Sequence, residues 1–177
     1  MHKLSQILCL LVIFASVAAA QEGHSPYTGQ EARGIKALSA EEVQKYLTGA
    51  GMGFAKAAEL NQYPGPKHVL ELAEKLSLSE KQLEQTEAIR VAMAEEAVRL
   101  GQLLVAQEAA LDRHFAEAVI DEQQLETRVG EIAVLRGQIR SAHLRAHLEM
   151  RRVMTPHQIH RYQELRGYGT GHTHKQK

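Results

Sequence analysis

Two runs of residues spaced by sevens constrain this chain more than any other feature. Leu83, Arg90, Ala97, Leu104 and Leu111 form the first, and no proline interrupts the chain from Glu80 to Val119. Leu125, Ile132, Ile139, Ala146 and Val153 form the second. A repeat of seven returns to the same side of an α-helix every two turns, so each run predicts one long helix with a continuous seam. Ile89, Met93, Leu100 and Phe115 lie near the first seam, and Val129 and Met150 flank the second. At 1.5 Å per residue the first helix would span roughly 55–60 Å, with Gly101 as a weak point. The connection is short, so the two helices are expected to fold back on each other as an antiparallel hairpin.

Helix caps supply the rest of the organisation. Ser39 with Glu42, Ser79 with Gln82, and Asp121 with Gln124 are capping boxes: a side-chain oxygen takes up a free amide of the first turn, and the third residue reaches back. The first predicts a short helix from about Ala40 to Leu47, ended by Gly49, Gly51 and Gly53. Another helical turn is expected within Phe54 to Leu60, before the stop at Asn61 to Pro66. Pro66 suits the first position of a helix running from His68 to Leu76, with Val69, Leu72 and Leu76 on one stripe. Thr155, Pro156 and Gln158 occupy the N-cap, first and third positions of a last helix. It runs to about Arg166, with Gly167 as its stop. Aromatics are 5% of the 177 residues, and Ala, Leu, Glu, Gln and Arg are abundant. The expected fold class is all-α: two long helices with short flanking helices, in one domain over residues 39–168.

Residues 1–20 read as a secretory signal peptide. Lys3 is the positive start, Ile7 to Val17 is almost wholly apolar, and Ala18 to Ala20 offer a small-residue cleavage site. The apolar run is shorter than the about 20 residues a membrane span needs. Cleavage would remove Cys9, the single cysteine, leaving a thiol-free chain in an oxidising compartment. A periplasmic location is therefore expected. Residues 21–38 read as a flexible lead, and residues 169–177 as a polar tail bearing His172 and His174.

Charge is divided along the chain. Residues 21–135 carry 11 Lys and Arg against 19 Asp and Glu, whereas residues 136–177 carry 9 against 2. The second group is mostly arginine, which stacks, bonds through a planar fork and is weakly hydrated. Two uses of this asymmetry are open. The acidic first long helix could neutralise the basic second one, or the basic surface could hold an acidic, partly unfolded chain. Two helices bury only one seam between them, and Leu100 to Leu111 is apolar around much of its circumference. A second copy of the chain or a client is expected to cover what remains. The candidate client contacts are Leu103, Leu104, Arg140, Leu144, Arg145, Leu148, Arg151 and Arg152. Nucleic acid is not an expected partner: few aromatics and no recognisable binding motif argue against it.

Two short segments carry a resemblance. Leu78-Ser79-Glu80-Lys81-Gln82 and Met154-Thr155-Pro156-His157-Gln158 each match the pattern LTxxQ, with Ser for Thr in one and Met for Leu in the other. Each opens a helix, and the paired long helices lie between them. With the export signal, this resembles the Spy/CpxP (LTxxQ) family of exported chaperone-like proteins and periplasmic heavy-metal sensors. Ala57 to Pro66 and Leu165 to Tyr168 resemble one bacterial subgroup of it. The resemblance implies a cradle-shaped homodimer of helical hairpins. It also implies ATP-independent holding of unfolded or envelope-stress clients on a basic, apolar face. A membrane sensor kinase or regulator is a further partner to consider.

Metal binding is the competing chemistry. His143 and His147, four residues apart, would point to one side of a helix as a two-ligand clip for Zn, Cu or Ni. Met150 follows one turn later, and His114 could approach from the other long helix. No cluster offers the four ligands of a structural site, and no cofactor is required by the sequence. Glu95-Glu96 and Asp121-Glu122 are adjacent carboxylates on a solvated helix or at a cap, no nucleophile sits in a supporting strand-turn context, and an enzyme is not expected.

Overall fold

A computed structural model describes residues 25–168. Residues 1–20, read above as a signal peptide, and the tail with His172 and His174 lie outside the described residues. The chain divides into two units, Met1–Glu31 and Ala32–Lys177. The described part of the first consists of turns, in which the Thr28 amide donates to the Ser25 carbonyl at 3.0 Å and that of Gln30 to Tyr27 at 2.9 Å.

The described part of the second unit is helical, with no strand among the described residues. In chain order it contains α1 (Ala40–Leu47), α2 (Lys56–Glu59), α3 (Pro66–Glu71), α4 (Glu80–Ala116), α5 (Glu122–Val153) and α6 (Pro156–Leu165). Helices α1, α4, α5 and α6 each start on a complete capping box, at Ser39, Ser79, Asp121 and Thr155. Two helices are shorter than the sequence predicts. α3 ends at Glu71 and passes through turns to Ser77, whose φ of +51° cannot continue a right-handed helix. α4 ends at Ala116, because Ala118 adopts a φ of +53°.

α4 and α5 have 37 and 32 residues and pack against each other. Near the connecting turn, Arg128 of α5 lies 3.0 Å from the ring of His114. Further along, Arg136 bonds Glu108. Beyond that, Ala142, Ala146 and Arg145 share a crevice with Ile89, Met93 and Glu96. The seam holds wherever a neighbour covers it: Ala97, Leu104, Ile132, Ile139 and Ala146 are buried, whereas Leu83 at the start of α4 is exposed.

Two apolar clusters flank these helices. One gathers Leu38, Tyr46, Leu100, Leu104 and Ile139, with Ile35 and Phe54 packed on it. The lead predicted to be flexible over 21–38 is thus docked in its last part. There the main-chain amide and the ammonium of Lys36 each reach Asp112 at 3.1 Å. Gly101 proves to be a point of close approach rather than a weakness. A Cβ there would sit 2.1 Å from the Tyr46 carbonyl oxygen, so its absence lets the end of α1 rest on α4. The other cluster gathers Val69, Leu76, Met150, Met154, Ile159 and Tyr162 where α3, α5 and α6 meet.

Candidate functional site

At 100° per residue, Arg140, Leu144, Arg145, Leu148, Arg151 and Arg152 fall within less than half of the circumference of α5. Ile132, Ile139, Ala142, Ala146 and Met150 occupy the opposite side and are buried. The outer stripe is open. All four arginines are exposed, Leu144 is half-buried, and Leu148 keeps 46% of its surface. Among the described residues, no carboxylate lies within 4 Å of Arg140, Arg145, Arg151 or Arg152. Arg90, Arg99, Arg136, Arg161 and Arg166 each have one. Between the two long helices only Arg136 and Glu108 form such a pair among the described residues. Mutual neutralisation of the helices therefore does not consume the basic stripe. Arg151 alone is anchored: its Nη1 donates to the Gln62 carbonyl at 2.6 Å, and its guanidinium lies 4.7 Å over the Tyr63 ring.

The apolar residues chosen on α4 divide. Leu103 is 47% exposed, as a contact residue must be, but Leu104 has no exposed surface. Leu104 belongs to the core under α1, so it is withdrawn as a client contact. Leu100, Gly101 and Glu108 are buried with it. The rich apolar circumference of this stretch is met largely from within the unit.

The two LTxxQ-like caps do more than begin helices. Ser79 and Thr155 accept from the amides of Gln82 and Gln158, each at 3.2 Å, and Pro156 fills the first position of α6. The two glutamine side chains then bond each other, Gln82 Nε2 to Gln158 Oε1 at 2.8 Å and Gln158 Nε2 to Gln82 Oε1 at 3.0 Å. Gln82 also donates to the Val153 carbonyl at 2.9 Å. The start of α4 is thereby tied to the junction of α5 and α6. Each bond of this kind contributes about 0.5–1.5 kcal/mol net.

The candidate metal donors do not assemble as one set. His143 stacks on Phe54 with ring centroids 5.7 Å apart, and its buried Nε2 has no hydrogen-bond partner among the described residues. Burial, then the neighbouring His147, hold its pKa below the ordinary imidazole value. One turn on, His147 presents Nδ1 to the Tyr63 carbonyl at 2.7 Å, with Glu59 Oε2 at 3.7 Å. Met150 has no exposed surface and is packed among Val69, Leu76 and Tyr162. Its thioether serves the core. His114 sits beside Arg128, fifteen positions before His143 on α5, or about 22 Å along the axis. It cannot join the pair. Among the described residues, no group of three or more His, Cys, Asp or Glu side chains is placed to hold a metal ion. The two imidazoles alone do not make a closed four-ligand site.

Sequence reasoning passed over a buried polar node next to this pair. The Tyr162 hydroxyl, in a residue with no exposed surface, donates to Glu59 Oε1 at 2.6 Å. The Nε of Arg166 lies 3.4 Å from the same oxygen. Burial and the Glu59 carboxylate together push the Tyr162 phenol far above its ordinary pKa, so it stays a donor. Glu59, Tyr63 and Gln62 all come from the segment that resembled a family subgroup, and they fasten that segment to α5 and α6.

No family model, curated protein or solved structure matches this chain.

Proposed function

We propose that this chain is an exported, periplasmic, ATP-independent chaperone of the Spy/CpxP (LTxxQ) type that holds unfolded or stress-damaged proteins. In this reading the long helices form an antiparallel hairpin, and two copies associate as a cradle-shaped homodimer. Clients rest on the outer stripe of α5. Leu144 and Leu148 take apolar side chains, and Arg140, Arg145, Arg151 and Arg152 take carboxylates and backbone carbonyls. Leu103 adds a further apolar contact on α4. The observation that carries the reading is the set of four exposed arginines beside leucines on α5, none of them with a carboxylate within 4 Å among the described residues. Unmatched cations beside apolar surface attract chains that offer both kinds of group, and guanidinium suits this because it sheds water readily. Holding needs no bond chemistry, and the reading assigns no catalytic residue.

The test is aggregation of a chemically denatured client, followed by light scattering, with purified protein and no nucleotide. Suppression at a few-fold excess is expected. It should weaken with salt and fall when Arg140, Arg145 and Arg152 are replaced together by Glu. Unchanged scattering at several-fold excess of the wild type overturns the reading.

A second reading, a metal-binding sensor or resistance protein, has one observation in its favour. His143 Nε2 is buried without a hydrogen-bond partner among the described residues, one turn from His147. Calorimetry with Zn, Cu and Ni on the wild type and on a His143→Ala/His147→Ala variant decides it. Tight binding lost in the variant supports it, and absence of binding by the wild type rejects it. A regulatory contact with a membrane sensor kinase would show as capture of that kinase from solubilised membranes.

A further inference from the structure

Where α5 meets α6, an open groove of about 880 Å3 runs beside the end of α2. Ligand clefts commonly measure about 300–1,000 Å3. Its floor is apolar: Met154 and Ile159 are buried, and the exposed Leu60 stands beside them. Arg151, His160 and Glu164 supply its charge. The carboxylate of Glu164 is already matched, at 3.0 Å from Arg161 and 3.6 Å from the His160 ring. Arg151 has no carboxylate within 4 Å among the described residues, so the groove carries an uncompensated cation above a greasy floor. Gln163 also lines it.

We propose that this groove seats a short extended segment of a client, one carrying carboxylates beside apolar side chains. The apolar side chains lie on Met154, Ile159 and Leu60, and a carboxylate meets Arg151. The proposal rests on the chaperone reading above and gives it a defined seat and a preferred client chemistry. The chain's own residues 169–177 follow directly from Tyr168, but they carry Lys175 and Lys177 and no Asp or Glu. That is the wrong charge for the vacancy beside Arg151.

The probe is a fluorescein-labelled peptide alternating Leu with Glu, compared by anisotropy with versions bearing Lys or Gln in place of Glu. The Glu peptide should bind at least about tenfold more tightly than the Lys peptide and weaken as salt is added. Leu60→Glu should weaken it by about tenfold, Leu60→Met should retain it, and Val129→Glu, at an exposed site near the far turn, should leave it unchanged. Thermal melts of all three variants confirm that they fold. Equal binding of Lys and Glu peptides, or unaltered binding by Leu60→Glu, overturns the proposal. So does displacement of the probe by a synthetic peptide of residues 169–177. If the wild type suppresses aggregation while Leu60→Glu matches it in both assays, the groove is rejected and the chaperone reading stands. If the wild type neither suppresses aggregation nor binds the probe, both fall.

Discussion

The two ends of the long helices are built by different means. At one end, Tyr162, Met150, Val69 and Leu76 form an apolar cluster. Above it, polar side chains cross-link the parts: Gln82 with Gln158, Tyr162 with Glu59, and Arg151 with Gln62. At the other end, around the Glu117–Asp121 turn, Phe115, Val119 and Val129 are exposed at 57%, 55% and 48%. The side-chain hydrogen bonds between the helices there reduce, among the described residues, to that of His114 with Arg128. Burial and cross-linking set local stability, so the first end should open only with global unfolding and the second should fray. The binding face proposed above begins at the anchored end, where its arginines would be held in fixed relation, as a fraying turn could not hold them.

The contrast can be broken by mutation. Tyr162→Ala should cost about 3–5 kcal/mol in urea denaturation, because it removes a fully buried ring and the hydroxyl that donates to Glu59. A loss no greater than that from a substitution at the far turn would undo the comparison. Next in size is Gly101→Ala. Its Cβ would strike the Tyr46 carbonyl, and overpacking of this kind costs about 1–3 kcal/mol. The same change at Gly137, which has open space around it, should instead stabilise by about 0.5–1 kcal/mol.

A smaller effect is expected from acid. Burial lowers the pKa of His143 in the folded chain, while the unfolded chain titrates near the ordinary value of about 6.5. As pH falls below that value, the unfolded state binds the extra proton first, so stability declines until the folded-state pKa is passed. A His143→Leu variant should show a flatter melting temperature over that interval, and an identical slope would reject the assignment. The smallest effect belongs to the far turn, where Phe115→Ser should change stability by no more than about 0.5 kcal/mol. Hydrogen exchange would sharpen the picture if amides near Phe115 exchange well before those near Met150.

Much of the helical layout was readable because it is written in local chemistry. Each capping box sits within four residues, and the starts of α1 and α6 follow from Ser39 and from Thr155-Pro156 alone. The burial of Leu104 was also readable, since the repeat of sevens that includes it marks a seam; choosing it as a contact ignored that mark. Helix ends set by left-handed residues were not readable, because Ser77 and Ala118 carry no glycine to announce the turn. Nor was the bond between Gln82 and Gln158. Each glutamine advertises only its own cap, and their meeting depends on the whole excursion between them. The Glu59 node was hidden for the same reason: its partners come from α5 and α6, remote in sequence.

The reciprocal amide pair of Gln82 and Gln158 has a geometric corollary. It staples the start of α4 to the junction of α5 and α6, so the intervening stretch is a closed loop whose length is not fixed by the staple. Deleting one heptad from each arm, or adding one, keeps every side chain on its original face while moving the far turn about 10 Å. Reach and grip are therefore separable properties of this architecture, and a shortened version should keep its anchorage.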